Sequence, residues 1–399
     1  MTTAIVIIIC LLLLAAYFFD LVSPGIKIPT VIPLLILGWG IKQLSVYLEI
    51  EIPDLTAILP VLGTIGLILI VLEGSLELEI NKKKLPLIGK SLLISLLPMF
   101  LLSFILAFSF QYVSHISFKD SLINAVPFSI ISSAIAIPSV KSLSKADSEF
   151  VIYESSLSDI FGILFFNFIL LNETISTNSF IDFVLQLLVV LVISLIATIG
   201  LSFLLSKSKH HIKFVPIIIF VILIYESSKV FHLPGLVFVL LFGLFIGNID
   251  ELKQFKWLNG VDPENLNKEV HKFKSIVVEG TFLIRTLFFI LFGYLIETSE
   301  LLNTKTLYWA IGIAAGIFLV RWIFLKLAKV PLIPLLFIAP RGLITILLFL
   351  SITPLQNIPF VNKSLVIQVI VITALIMMLG LIKTPKSTNN LSENGETEF

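Results

Sequence analysis

The sequence predicts an all-α membrane protein with about thirteen transmembrane helices, two of which are interrupted near their middles. Of its 399 residues, 57% are hydrophobic and only 13% are charged, and the mean hydropathy is +1.08. Soluble domains carry about 25% charged residues, so no long segment of this chain is polar enough to form one. The net charge of +1 gives no reason to expect a nucleic acid as a partner.

Apolar stretches of about 20 residues, the length needed to cross a hydrocarbon layer of about 30 Å, recur from end to end. The first of them has no basic residues before it, which favours a retained helix over a cleaved signal peptide. Residues 1–382 are therefore expected to form one membrane domain, followed by a disordered cytoplasmic tail at 383–399. The predicted spans cover residues 3–19, 29–47, 55–77, 85–113, 120–142, 149–171, 180–205, 213–229, 234–249, 276–297, 306–326, 331–352 and 364–382.

Lysines are distributed unevenly between the two ends of these spans. The odd-numbered connections carry clusters, such as the three lysines at 82–84 and those at 268–274, whereas the even-numbered ones carry single residues such as Lys119 and Lys229. Connections rich in Lys and Arg stay in the cytoplasm. The predicted topology therefore has the N-terminus outside and the C-terminus inside, in the plasma membrane of a bacterium. The connection at 249–274 is the longest polar one.

Spans 5 and 12 contain residues that interrupt helices: Ser132, Ser133 and Pro138 in the first, and Pro340, Arg341 and Gly342 in the second. A free backbone group inside a membrane is tolerated only where it is buried in protein or lines a cavity. Each broken span is the middle one of three, 4–6 and 11–13. Because seven spans separate the two groups, we expect inverted repeats, which are typical of transporters. The alternative is that the prolines merely kink ordinary helices.

A carboxylate inside span 6 is the strongest functional signal. An acidic residue at the centre of a spanning helix costs roughly 2.5–3.5 kcal/mol on insertion scales, so Asp159 indicates an ion or proton pathway. Ser155 lies one turn away on the same helix face and Ser158 is adjacent, and their oxygens suit a partly dehydrated monovalent cation. Competition of a proton and a cation for Asp159, combined with alternating access, is antiport. The alternative is an architectural ion pair with Arg285 or Arg341.

Glu154 lies five residues before Asp159, about 140° around the helix, and needs a partner of its own. Arginine is the preferred partner for a buried carboxylate. Arg321 lies in span 11, the inverted-repeat counterpart of span 4, and we predict a structural Glu154–Arg321 ion pair. Arg285 and Arg341 are the alternative partners.

Four motifs together resemble the monovalent cation/proton antiporters, which include the bacterial and animal sodium/proton exchangers. ESSLSD at 154–159 is similar to that family's E-S-L-L-N-D motif in span 6, and EGSLELEI at 73–80 is similar to its G-G-L-E-L stretch. FLVR, ending at Arg321, resembles the arginine region of span 11, and APRGLITILL at 339–348 resembles the break in span 12. The four motifs occur in the corresponding spans and in the same order.

The resemblance implies a thirteen-span fold and a homodimer. It implies a core, from about 83–171 and 305–382, that moves like an elevator against a dimerisation scaffold formed by the rest. It further implies that Asp159 binds the cation and the proton, with Glu154 and Arg321 as a structural pair. The chain contains no metal-ligand cluster, protease pair or nucleophile motif in facing spans, so neither an enzyme nor a cofactor is expected.

Two departures from the family pattern concern the transported ion. Ser158 stands where exchangers have Asn and electrogenic relatives have a second Asp, and a single carboxylate favours electroneutral exchange. Ser132, Ser133 and Ala134 replace the T-D-P of the exchangers and look more like the potassium-efflux branch. The leading hypothesis is Na+/H+ antiport, with Li+ or K+ as further substrates and Ser132, Ser133, Ser155 and Ser158 as candidate ligands beside Asp159. The alternatives are a K+/H+ antiporter or a channel-like K+ efflux protein.

Overall fold

The computed structural model of the chain describes residues 2–50, 54–78, 84–140, 143–172, 177–207, 214–231, 233–248 and 263–384. Within these ranges all the regular structure is helical. The expected disordered tail falls outside the described residues from position 385 onward, as do residues 249–262 of the long polar connection.

A helix, or an interrupted pair of elements, coincides with each of the thirteen predicted spans across the described ranges. Seven of the described helices, and the interrupted pair at residues 118–139 taken as one span, are long and apolar enough to cross a membrane. The helices are α1 (Thr2–Ile26), α2 (Val31–Tyr47), α3 (Ile58–Glu77), α4 (Leu85–Ser114), α5 (Phe118–Ser129), α6 (Ser133–Ser139), α7 (Lys145–Leu171), α8 (Thr177–Lys207), α9 (Phe214–Val230), α10 (Gly235–Gly247), α11 (Pro263–Tyr294), α12 (Thr298–Leu301), α13 (Thr304–Leu327), α14 (Leu343–Ser351) and α15 (Lys363–Lys383), with a 3-10 turn at Leu335–Phe337.

Several of these helices begin at a polar side chain that accepts a hydrogen bond from the first turn. Ser117 accepts from the N–H of Asp120 at the start of α5, and Ser144 accepts from the N–H of Asp147 at the start of α7. Asn303 and Asn362 do the same for α13 and α15. Such a cap stabilises a helix by about 1 kcal/mol and marks where the chain leaves a connection.

The helices pack as two groups. One, the site group, consists of α4, α5, α6, α7, α13, α14 and α15; the other, the flanking group, consists of α2, α3, α8, α9, α10 and α11. Helix α3 contacts α6, α7 and α14 of the site group. At the α3–α7 contact a Cβ on Gly74 would lie 2.9 Å from Ser156 Oγ, so the two groups approach closely beside the ESSLSD motif.

Within the flanking group, α2 and α11 are in backbone contact. A Cβ on Gly38 would collide with the carbonyl of Ile290, and one on Gly293 would collide with the carbonyl of Leu35. Gly40, on another face of α2, has open space around it. Small residues permit this approach, and van der Waals packing of this kind drives helix association in membranes.

Helix α11 begins at Pro263, well before the predicted start near residue 276, so the polar connection expected at 249–274 is helical from 263 onward. Its first turns are charged but amphipathic: Val270, Phe273 and Val277 are buried at helical spacing, and Lys272 pairs with Glu269 at 3.1 Å. A search for apolar spans misses these turns because their polar side faces outward.

Candidate functional site

Asp159 lies in the middle of α7 and is 1% exposed. Its Oδ2 accepts hydrogen bonds from the backbone N–H of Ser133, at 3.2 Å, and from the hydroxyl of the same serine. Its Oδ1 is buried and has no hydrogen-bond partner within the described residues. One face of the carboxylate is therefore fixed by α6, and the other retains free lone pairs for a proton or a cation.

The interruption between α5 and α6 spans Ile130 to Ser132, and each freed backbone N–H has an acceptor on another element. Ile131 donates to Ser158 Oγ at 3.0 Å, Ser132 donates to the carbonyl of Pro340 at 2.9 Å, and Ser133 donates to Asp159. Ser158 and Asp159, adjacent residues of α7, thus accept hydrogen bonds from the backbone at the start of α6. Ser158, next to Asp159, therefore has a structural role, because its hydroxyl oxygen accepts a hydrogen bond from the buried N–H of Ile131.

Arg341, at the second interruption, donates hydrogen bonds to carbonyl groups that the two breaks leave free. Its guanidinium donates to the carbonyl of Phe128, at 2.6 Å, and to that of Ala339, at 2.9 Å. Its backbone N–H donates to Thr373 Oγ1 at 3.1 Å. Arg341 therefore joins the end of α5 to the break between residue 338 and α14.

Glu154 and Arg321 form a buried bidentate ion pair. One branch joins Arg321 Nη2 to Glu154 Oε2 at 2.9 Å, and the second joins Nη1 to Oε1. Arg321 Nε also donates to the carbonyl of Leu335 at 2.8 Å. The pair links α7, α13 and the 3-10 turn. In the described part of the chain, no ion pair joins Asp159 to Arg285, Arg341 or another basic side chain.

The remaining sequence-predicted residues are distributed around this centre. Ser155 is buried one turn before Asp159, and its hydroxyl donates to the carbonyl of Val151 in its own helix at 2.7 Å. Ser132 Oγ is buried without a partner among the described residues, and a Cβ on Gly342 would lie 2.9 Å from it. Pro138, expected in the break, lies inside α6 instead, because the break is set by the acceptors of the N–H groups at 131–133.

Thr373 and Asn124 contribute contacts that the sequence did not single out. Thr373 supports the N–H of Arg341, and the Asn124 amide donates to the carbonyls of Asp120 and Gln356 at 2.8 and 2.7 Å. Both are buried polar residues in apolar helices. Their polarity within apolar helices could have indicated these contacts, because a buried polar group in a membrane helix needs a partner.

Two cavities approach α7 from opposite ends. The first, called here the acidic cavity, has a volume of about 610 Å³ and is lined by Asp20, Glu73, Glu77 and Glu279 together with Ile152 of α7. The second, of about 330 Å³, is lined by Thr64, Ile163, Asn167, Tyr225 and Lys229 among others. Asp159 lies on α7 between Ile152 and Ile163. A carboxylate with one free oxygen thus lies on α7 between two cavities, each large enough to hold several water molecules.

Two solved structures of the sodium proton antiporter MjNhaP1 from Methanocaldococcus jannaschii are similar to this fold. The structure at pH 8 has a TM-score of 0.68 and 19% sequence identity, and the alignment covers 96% of each chain. The structure from an electron microscopy map has a TM-score of 0.71 and 19% identity over 95% of each chain.

No curated protein matches the sequence closely enough to be counted as a relative. The family model described as "Sodium/hydrogen exchanger, transmembrane" matches residues 8–385, which is nearly the whole chain. This chain therefore belongs to the transmembrane sodium/hydrogen exchanger family.

Proposed function

We propose that the protein exchanges Na+ for H+ by binding each in turn at Asp159. The observation that carries the proposal is the buried Asp159 Oδ1, which has no partner among the described residues and lies at a helix interruption between two cavities. Ser133 contacts Asp159 directly, and the hydroxyls of Ser132, Ser155 and Ser158 are the other candidate ligands. Oxygen ligands suit a hard monovalent cation.

Electroneutral exchange is proposed from the charges at the site. Glu154 is neutralised by Arg321, and Ser158 is neutral and serves a backbone N–H, so Asp159 is left as the carboxylate that changes its occupant. One Na+ entering as one H+ leaves transfers no net charge. The site group would move as one unit against the flanking group, and pairing of flanking groups from two copies would form the homodimer.

The decisive measurement is cation-induced dequenching of a pH-sensitive dye in everted membrane vesicles. Asp159→Asn should abolish the signal, because an amide cannot be protonated and deprotonated near neutral pH. Asp147→Asn, in the first turn of the same helix, is the matched control and should retain wild-type exchange. Full exchange by Asp159→Asn would refute the assignment of the carrier.

The stoichiometry has a separate test. One net charge moved across the membrane couples to about 2.3 kcal/mol per 100 mV. The wild-type exchange rate should therefore be insensitive to a potential set with K+ and valinomycin, whereas Ser158→Asp, which adds a second carboxylate, should become sensitive. A strong voltage response of the wild type would contradict one-for-one exchange.

K+ is the second candidate substrate, supported by the sequence at the first break. Ser132, Ser133 and Ala134 place no carboxylate there, and fewer charged ligands disfavour the smaller, more strongly hydrated Na+. The same vesicles, tested with Na+, K+ and Li+ in turn, rank the ions. A response to K+ that exceeds the response to Na+ would assign the protein to K+/H+ exchange on the same carboxylate.

A further inference from the structure

Arg285 lies on the face of α11 that borders the acidic cavity. It shares this cavity with Asp20, Glu73, Glu77 and Glu279, so a positive charge stands among four carboxylates. The guanidinium is a positive charge with five N–H donors. Helix α11 belongs to the flanking group, whereas Ile152 on the wall of the same cavity belongs to α7, the helix of Asp159.

The guanidinium of Arg285 forms no hydrogen bond and no ion pair with any part of the chain that the structure describes. The other two arginines behave differently. Arg321 is bonded to Glu154 and to a carbonyl, and Arg341 is bonded to the carbonyls at both breaks. A charge without a partner is costly in a membrane-spanning helix, and such residues mark ion pathways.

Arg285 also faces the half-helix that begins at the carrier site. A smaller gap beside the acidic cavity is lined by Arg285 together with Ala134, Ile135 and Pro138 of α6. Ala134 directly follows Ser133, the residue whose N–H and hydroxyl hold Asp159. Arg285 and Pro138 line both the acidic cavity and this gap, so the guanidinium lies beside α6 where a route from the cavity toward Asp159 would run.

We propose that Arg285 is an electrostatic gate that sets the apparent affinity for the cation entering from the acidic cavity. Four carboxylates outnumber the one guanidinium on the cavity wall, and Lys274 offsets the charge of Glu77 at 3.8 Å, so the cavity keeps an excess of negative charge that raises the local cation concentration. The guanidinium opposes the last part of that approach and keeps the cation from being held in the cavity. This inference rests on the proposed function, since it assumes that the cation reaches Asp159 through this cavity on the cytoplasmic side.

The test is the apparent KM for Na+ in everted vesicles, whose outer surface is the cytoplasmic one, at low ionic strength. Arg285→Gln should lower this KM about three- to tenfold. That is the effect of removing one positive charge roughly 10 Å from the cation at an intermediate dielectric constant. Arg285→Lys keeps the charge and should stay within about twofold of the wild type. Glu279→Gln removes a carboxylate from the same cavity and should raise the KM.

Two further measurements separate a field effect from a structural one. Raising the ionic strength to about 0.5 M with choline chloride should remove most of the difference between Arg285→Gln and the wild type, because salt screens exposed charges. The KM measured from the opposite face, with right-side-out vesicles, should not change. A structural defect would persist in high salt and affect both faces.

An unchanged KM in Arg285→Gln, or an equal change from both faces, would overturn the gate. If Arg285→Gln does not accumulate in the membrane, Glu279→Gln decides, and a KM unaltered at low ionic strength would overturn the proposal. Wild-type protein that exchanges none of Na+, K+ and Li+ would overturn the proposed function together with the gate. Active wild-type protein with unaltered variants would overturn the gate alone.

Discussion

The backbone N–H of Ser132 donates a 2.9 Å hydrogen bond to the carbonyl of Pro340, so the two helix interruptions are paired with each other. The pairing is reciprocal, because Arg341 beside Pro340 donates to the carbonyl of Phe128 at the end of α5. An unsatisfied backbone group costs several kcal/mol in hydrocarbon. Each break therefore supplies a hydrogen-bond donor or acceptor that the other needs, and the two interrupted helices are stable in the membrane only when both are present.

Ser158→Ala should destabilise the protein, because it leaves the buried N–H of Ile131 without its acceptor. The expected loss is about 1–3 kcal/mol in the free energy of unfolding, measured as a lower Tm in detergent. Hydrogen exchange at residues 130–133 should become faster at the same time. Ser155→Ala is the matched control, because its hydroxyl donates to a carbonyl of its own helix, and it should change stability by less than about 1 kcal/mol. Equal effects of the two changes would contradict the role of Ser158.

Glu154→Gln should cause a much larger loss, since it strands the buried charge of Arg321. Breaking one member of a buried pair costs about 3–5 kcal/mol. The control is Glu226→Gln, which removes an exposed carboxylate paired with Lys229 and should cost under about 1 kcal/mol. Thermal unfolding of the purified variants gives both values. A Glu154→Gln protein with the wild-type Tm but no exchange would instead place Glu154 in the transport step.

Gly38→Ala and Gly40→Ala should change the stability in opposite directions, although the two glycines lie only one half-turn apart on α2. The first puts a methyl group into the carbonyl of Ile290, and such overpacking costs about 1–3 kcal/mol. The second points into open space and gains up to about 1 kcal/mol, because alanine favours a helix over glycine. Tm values of the two variants test the close α2–α11 contact, and a harmless Gly38→Ala would refute it.

Stability should depend on pH through Glu297, in the connection between α11 and α12. A hydrogen bond from Lys42, with the charges of Lys42 and Lys363, holds the pKa of the Glu297 carboxyl below its usual value of 4.5. A depressed folded pKa stabilises the protein above the unfolded pKa, and this contribution disappears as the pH falls through the folded one.

The carboxyl is well exposed, so the contribution of the Lys42–Glu297 pair is well under about 1 kcal/mol. Lys42→Ala should therefore lower the Tm slightly at pH 7, and by less at an acidic pH where a growing fraction of Glu297 is protonated. Lys119→Ala, a lysine without an ion-pair partner in the part of the chain described, is the control and should not change the Tm at either pH. A difference that grows toward low pH would contradict the direction of the shift.

The sequence was sufficient to locate Asp159 and the spans because both are recognised from side-chain polarity alone. An ionisable residue in an apolar helix is conspicuous whatever it contacts, and so is a 20-residue apolar stretch. The positions of the breaks were less accessible. Pro127 and Pro138 both lie inside helices, and the chain opens between them at 130–132. Ser158, Asp159 and Pro340 determine this point, and their proximity is a tertiary fact that no local pattern contains.

The same separation in sequence hid the contacts of Arg341. Its charge in span 12 was evident, and Glu154 and Asp159 were its two candidate partners, but its guanidinium bonds to backbone carbonyls. Every residue has a carbonyl, so composition cannot identify which ones are free. Thr373 was missed for a related reason, since a single threonine in an apolar helix belongs to no motif.

The pairing of the breaks also constrains the biosynthesis of the protein. The carbonyl of Phe128 and the guanidinium of Arg341 are 213 positions apart in the chain. At about 5–20 residues per second, a ribosome adds that length in roughly 10–40 seconds. During this interval the first break is already in or near the bilayer while its partner is not yet translated. Water, the insertion machinery or a chaperone must therefore satisfy those backbone groups until the second repeat arrives.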